Sequence, residues 1–147
     1  MAYSARSPSS VTVTTARPAR QGDTTLVEAL SAHLGIALAP REFTLADGTR
    51  IGVDCANEGR PTLLVQFSPH QGPVKSTQRN KVIADAFKLV WLRDHHFPDA
   101  HVLLVLGEPL ARLFGRGAWL PAAFASYRIT VALVDDRHRI RTLDIST

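Results

Sequence analysis

Residues 49–75 read TRIGVDCANEGRPTLLVQFSPHQGPVK, two strand-like runs followed by an abrupt change of chemistry. Across 49–56, Ile51, Val53 and Cys55 alternate with Gly52, Asp54 and Ala56, the period-2 signature of a strand with two distinct faces. A turn is expected around Asn57-Glu58-Gly59, and 62–68 forms the next strand. That strand is apolar until it presents Gln66 and Ser68, then His70, and it breaks at Gly72-Pro73 before reaching Lys75. Either this polar end is the edge of an active site, or it is where a core strand meets water.

The flanks extend the pattern. Upstream, a short helix spans TTLVEALSAHLG, with Thr25 and Glu28 spaced as a capping box and Gly35 as its stop. Residues 41–46 form a strand that turns at Asp47-Gly48 into the quoted stretch. Downstream, 75–97 is a long helix, and 100–108 is an apolar strand of the kind covered on both faces. A helical segment interrupted by Gly115, Gly117 and Pro121 follows, and two strands turning near Asp135-Asp136 close the chain. The order α-β-β-β-α-β-α-β-β predicts an α/β architecture, a mixed central sheet flanked by helices. Residues 1–22 carry Ser, Thr, Arg, Ala and Pro without an acidic residue, and are expected to be a flexible basic arm ahead of one domain at 23–147.

Composition narrows the function classes. The chain of 147 residues is long enough to bury a core. No apolar run approaches the roughly 20 residues of a membrane span, so no membrane role is expected. The lone Cys55 excludes a disulfide framework or a multi-thiolate zinc site, and a reducing cytoplasm is the expected location. Cys55, Trp91 and Trp119 are expected to pack in the core. A net charge of +4 permits a polyanionic partner. The three lysines, Lys75, Lys81 and Lys88, fall in one segment that begins where the quoted stretch ends. Gln78, Lys81, Asp85 and Lys88 share a polar helical arc of roughly 80°, which is either a solvated face or the rim of a site.

The two central strands bring Asp54, Gln66 and Ser68 together, with Asp54 near Leu64 and Gln66 diagonal to it. An Asp on one strand, a Gln ten to fifteen residues later on the next, and a following helix resemble the PD-(D/E)XK nuclease superfamily. Its restriction endonuclease-like α-β-β-β-α-β core matches residues 24–106 in order. The resemblance implies that Asp54 and Gln66 bind Mg2+ or Mn2+, with Glu28 completing the set. It further implies a lysine beside the attacking water, for which the motif position holds Ser68. Lys81 or Lys88 from the helix, or Lys75 from the loop, is expected to replace it. His70, Gln78 and Arg79 would contact the substrate, and Arg93 would bind phosphate. The function implied is metal-dependent hydrolysis of DNA phosphodiesters. The alternative is a catalytically inactive module of the same fold that binds nucleic acid or assembles with a protein partner, a second copy included.

Overall fold

The structure is a computed structural model that describes residues 11–16 and 23–145. Seven strands form one mixed sheet in sequential order: β1 (Val11–Ala16), β2 (Leu38–Leu45), β3 (Arg50–Asn57), β4 (Leu63–Ser68), β5 (His101–Gly107), β6 (Ile129–Val134) and β7 (Ile140–Leu143). The first four strands are antiparallel neighbours, β4, β5 and β6 run parallel, and β7 returns antiparallel. Parallel neighbours need crossovers. These are α2 (Ser76–His96) between β4 and β5, and a 3₁₀ turn (Glu108–Phe114) followed by α3 (Trp119–Ser126) between β5 and β6.

Both crossovers lie on one face, where Val82, Ala86, Leu89, Leu110, Leu120 and Phe124 bury Leu64, Val102, Leu104 and Val131. On the other face α1 (Asp23–Leu34) packs Leu26, Val27 and Leu30 against Cys55, Val65, Phe67 and Val105. The alternation of β5 supplies both cores, Leu104 to one and Val105 to the other, which explains its uniformly apolar sequence. Among the described residues no helix is long and apolar enough to cross a membrane.

Several expectations change. Val11–Ala16, inside the stretch read as an arm, is an edge strand paired with β2; the rest of that stretch lies outside the described residues. Helix α1 begins at Asp23, so Thr25 and Glu28 both lie within it rather than framing its start. Gly35 does end it, at φ +68°, with its N–H donating to Ser31 O at 2.8 Å. Pro121 falls in the first turn of α3, where a missing N–H costs nothing, so only the Gly115–Ala118 segment breaks the helical region. Trp119 is 68% exposed, not a core residue.

The alternation of β3 also fails where it matters most. Ile51 and Val53 enter the α2-side core, but Cys55 enters the α1-side core and Ala56 returns to the α2 side. The register explains this: Val53 faces Arg41 and Ala56 faces Ala39, so Asp54 and Cys55 together oppose Pro40 alone. That is a β-bulge, set opposite a residue with no N–H to give to the ladder.

Candidate functional site at the open seam of the sheet

Beside the bulge, the ladder between β3 and β4 is short. Only Cys55↔Val65 and Ala56↔Leu64 pair there, which brings Asp54 opposite Gln66 rather than near Leu64. Side chains then take over the bonding that the backbone gives up. The Asp54 N–H donates to Gln66 Oε1 at 2.8 Å, and the Phe67 N–H donates to Asp54 Oδ2 at 2.8 Å. Asp54, Gln66 and Ser68 are 1%, 3% and 6% exposed, so the polar strand end does not merely meet water. Buried polar groups of this kind persist only when paired.

Helix α2 closes the arrangement from above. Lys81 Nζ donates to Asp85 Oδ2 at 2.6 Å, to Phe67 O at 2.8 Å and to Ser68 Oγ at 3.0 Å. These are three acceptors for the three protons of an ammonium. The other oxygen of Asp85 accepts from Gln66 Nε2 at 3.3 Å. Lys81 and Asp85 are therefore an i,i+4 helix pair, but one whose two members both reach down to β4. The chain Asp54–Gln66–Asp85–Lys81–Ser68 is continuous.

The remaining candidates divide. Lys88 Nζ donates to Gly52 O at 2.8 Å, on β3 rather than at Ser68. Lys75 is the N-cap residue of α2, and its N–H donates to Gln78 Oε1 at 2.9 Å, which commits the amide oxygen of Gln78 to the helix start. A cleft of about 190 Å³ opens beside the network, lined by Ser68, Pro69, His70, Thr77, Gln78 and Lys81. Lys75 and Arg79 do not line it. His70 is held there through Nε2 and Pro73 O, 2.7 Å apart. Its loop is pinned by Gln71 Nε2, which donates to Val134 O at 2.9 Å.

Glu28 does not join the site. It is exposed on α1, the helix packed on the opposite face of the sheet from α2. Arg93, expected at phosphates, is 2% exposed; its Nε donates to Asp94 and its Nη1 to Arg128 O. Cys55 is buried and its thiol is pushed well above the ordinary value, first by burial and then by the Asp54 charge. That removes it as a nucleophile.

Two roles escape sequence reasoning. Asp85 lies on the expected polar arc of α2, but its bond to Gln66 could not be read there. Gly107, at the end of β5, touches the His70 backbone so closely that an added Cβ would lie 1.8 Å from His70 O. Nothing in the sequence separates it from a simple strand-ending glycine.

Among the described residues no three His, Cys, Asp or Glu side chains form a group suited to a metal ion. The oxygen donors at the seam are the Asp54 carboxylate and the Gln66 amide, with the Asp85 carboxylate next to Gln66. Without His or Cys among them, these oxygens are not the nitrogen and sulfur donors that zinc and copper sites are mostly built from. Magnesium commonly takes one or two carboxylates and completes its shell with water and phosphate, so these are donors of the type it uses. No protein-family model, curated protein or solved structure matches the chain.

Proposed function

We propose that this chain is a nuclease-like α/β domain of the PD-(D/E)XK kind that hydrolyses DNA phosphodiester bonds with Mg2+ or Mn2+ at the Asp54–Gln66–Lys81 site. The observation that carries the reading is the place of one ammonium. Lys81 comes from a helix, yet its Nζ rests 3.0 Å from Ser68 Oγ, at the strand position where the motif has its lysine. The order α1-β2-β3-β4-α2-β5 supports the fold half of the reading.

Asp54 and Gln66 would hold the cation through oxygen. When bound, it would polarise the scissile phosphate and lower the pKa of a water. The chain's own residues do the rest. Lys81, fixed by Asp85 and two β4 oxygens, offsets negative charge developing on the phosphoryl oxygens without having to reorganise. His70 and Thr77 line the cleft beside it and meet the sugar-phosphate chain. Exposed Arg79, near the start of α2, contributes charge that positions the backbone without reading bases.

One specific observation favours the inactive binding module instead. Asp54 Oδ2 and Gln66 Oε1 already accept hydrogen bonds within the β3–β4 seam, so both have a structural use. Supercoiled plasmid incubated with Mg2+ or Mn2+ decides between the two. The nuclease reading expects nicking that Lys81→Ala slows by about 10²–10³-fold, the range for losing one fixed electrostatic contact to a transition state. Asp54→Ala is expected to abolish it. If the wild type leaves plasmid intact with either metal, the enzyme reading falls; salt-dependent DNA retardation by that protein would establish the module.

A further inference from the structure

Strand β4 lacks two groups that the resemblance calls for, an acid at Gln66 and a lysine at Ser68. We infer that Asp85 is a positioning residue that fixes the Lys81 ammonium over Ser68, and that its presence requires glutamine at position 66. The inference rests on the nuclease reading for its catalytic half and on geometry for the rest.

The geometry begins with the Gln66 amide. One end faces a donor, the Asp54 N–H at 2.8 Å, and the other faces a carboxylate, Asp85 Oδ1 at 3.3 Å. An amide satisfies both at once without a change of protonation, and in one orientation: oxygen toward Asp54, nitrogen toward Asp85. A glutamate at 66 would serve the Asp54 N–H equally well, but it would set two carboxylates face to face in a buried seam. Like charges at that separation disfavour joint ionisation. The glutamine is therefore the complement of Asp85.

The second oxygen of Asp85 sets the ammonium. With Lys81 Nζ 2.6 Å from Oδ2, the long lysine side chain is held over Phe67 O and Ser68 Oγ instead of extending into solvent. Serine at 68 fits the same logic. It is small enough to admit an incoming ammonium and offers it an acceptor, whereas a lysine there would collide with Lys81 in both space and charge. Two adjacent turns of one helix thus hold an acid and an ammonium over the end of β4. The sequence hides this because Asp85 and Lys81 lie nineteen and thirteen positions downstream of the strand residues they contact.

The test moves each group to the strand. Wild type, Gln66→Glu, Asp85→Asn and the double variant Gln66→Glu/Asp85→Asn are compared for kcat and KM of plasmid nicking and for thermal unfolding. A second pair, Lys81→Ala and Ser68→Lys/Lys81→Ala, does the same for the ammonium. Asp85→Asn is expected to slow nicking by about 10- to 100-fold, as loss of an orienting partner typically does. Gln66→Glu alone is expected to lower the melting midpoint and to slow nicking. The double variant should regain most of both losses, and Ser68→Lys should restore part of the nicking lost in Lys81→Ala. Additive losses in the Gln66/Asp85 cycle overturn the inference, because independent residues add. Recovery of stability without recovery of nicking also overturns it, since Asp85 would then be a structural strut alone. A wild type that cuts nothing removes the nuclease reading and with it the catalytic half. The complementarity of Gln66 and Asp85 is then judged by the melting cycle alone, where restored stability upholds it and additivity defeats it.

Discussion

Strand β4 is joined to β5 along all six residues, Leu63–Ser68, in one parallel register, but to β3 by only the two pairs Cys55↔Val65 and Ala56↔Leu64. The first seam satisfies its own N–H and C=O groups, so its side chains are free to be Leu103, Leu104, Val105 and Leu106. The second opens at a bulge and leaves backbone groups that must find partners elsewhere. Aspartate and glutamine enter the core there because the ladder does not close. The candidate site is thus built from a gap in the sheet, and lysine and aspartate from α2 are drawn into the same gap.

Breaking the closed seam should cost most. Leu104→Ala removes a fully buried side chain and is expected to destabilise by about 3 kcal/mol, within the range for leucine truncation in cores. Urea denaturation measures it, and a loss under 1 kcal/mol would show that this seam is less tightly packed than its burial implies. The open seam fails differently. Asp54→Ala orphans the Phe67 N–H, a cost of roughly 1–3 kcal/mol, while Asp54→Asn keeps an acceptor oxygen and should lose less. Hydrogen exchange discriminates between the two mechanisms. The Phe67 amide should lose protection, beyond the global change, in Asp54→Ala but not in Leu104→Ala.

The two seams were unequally visible in the sequence. The closed one was legible because β5 is apolar throughout and long helices are spelled by period and punctuation. The bulge was not, because counting by two assumes that no residue is left over. Its one local sign was Pro40 on the partner strand, whose meaning depends on a register that the sequence does not state. Glu28 was misplaced for a related reason: periodicity tells which side of α1 is apolar, not which face of the sheet it covers. The lysine cluster was legible as a cluster, but choosing Lys81 over Lys88 took a helix rotation that puts one over Ser68 and the other over Gly52. Val11–Ala16 gave no warning, since an edge strand needs little beyond a free backbone to pair with.

Gly107 sharpens the comparison from the closed side, because it is where the well-paired β5 supports the loop that borders the open seam. Gly107→Ala puts a Cβ 1.8 Å from His70 O, so the His70 loop must move. Since the clash is with backbone of a loop that Gln71 pins, the stability cost should be about 1–3 kcal/mol, the range for overpacking. The displacement should still be plain in the ring resonances of His70 and in the cleft it lines. Unchanged His70 resonances in a folded Gly107→Ala variant would show that the contact does not position the loop.

The smallest effect comes from a second carboxylate that replaces ladder bonding, this time at the surface. Asp135 Oδ1 accepts the N–H groups of Arg137 and Arg139, both at 2.9 Å, and so shapes the β6–β7 turn as Asp54 shapes the β3–β4 seam. Those bonds, the one from Arg139 first, hold the Asp135 carboxyl below its ordinary value of 3.8. The sign follows from that depression. Asp135 supports the turn fully above the unfolded value near pH 4, and the support is lost as pH falls through the lower folded value. The Arg137 and Arg139 amide resonances should therefore titrate with a midpoint below 3.8, and a midpoint at or above it would remove Asp135 from the turn. Asp135→Ala should change the melting midpoint less than any variant above, because water can replace an exposed acceptor but cannot reach Phe67. If the two aspartates proved equally costly to remove, burial would not be what makes the open seam expensive, and the contrast between the seams would fail.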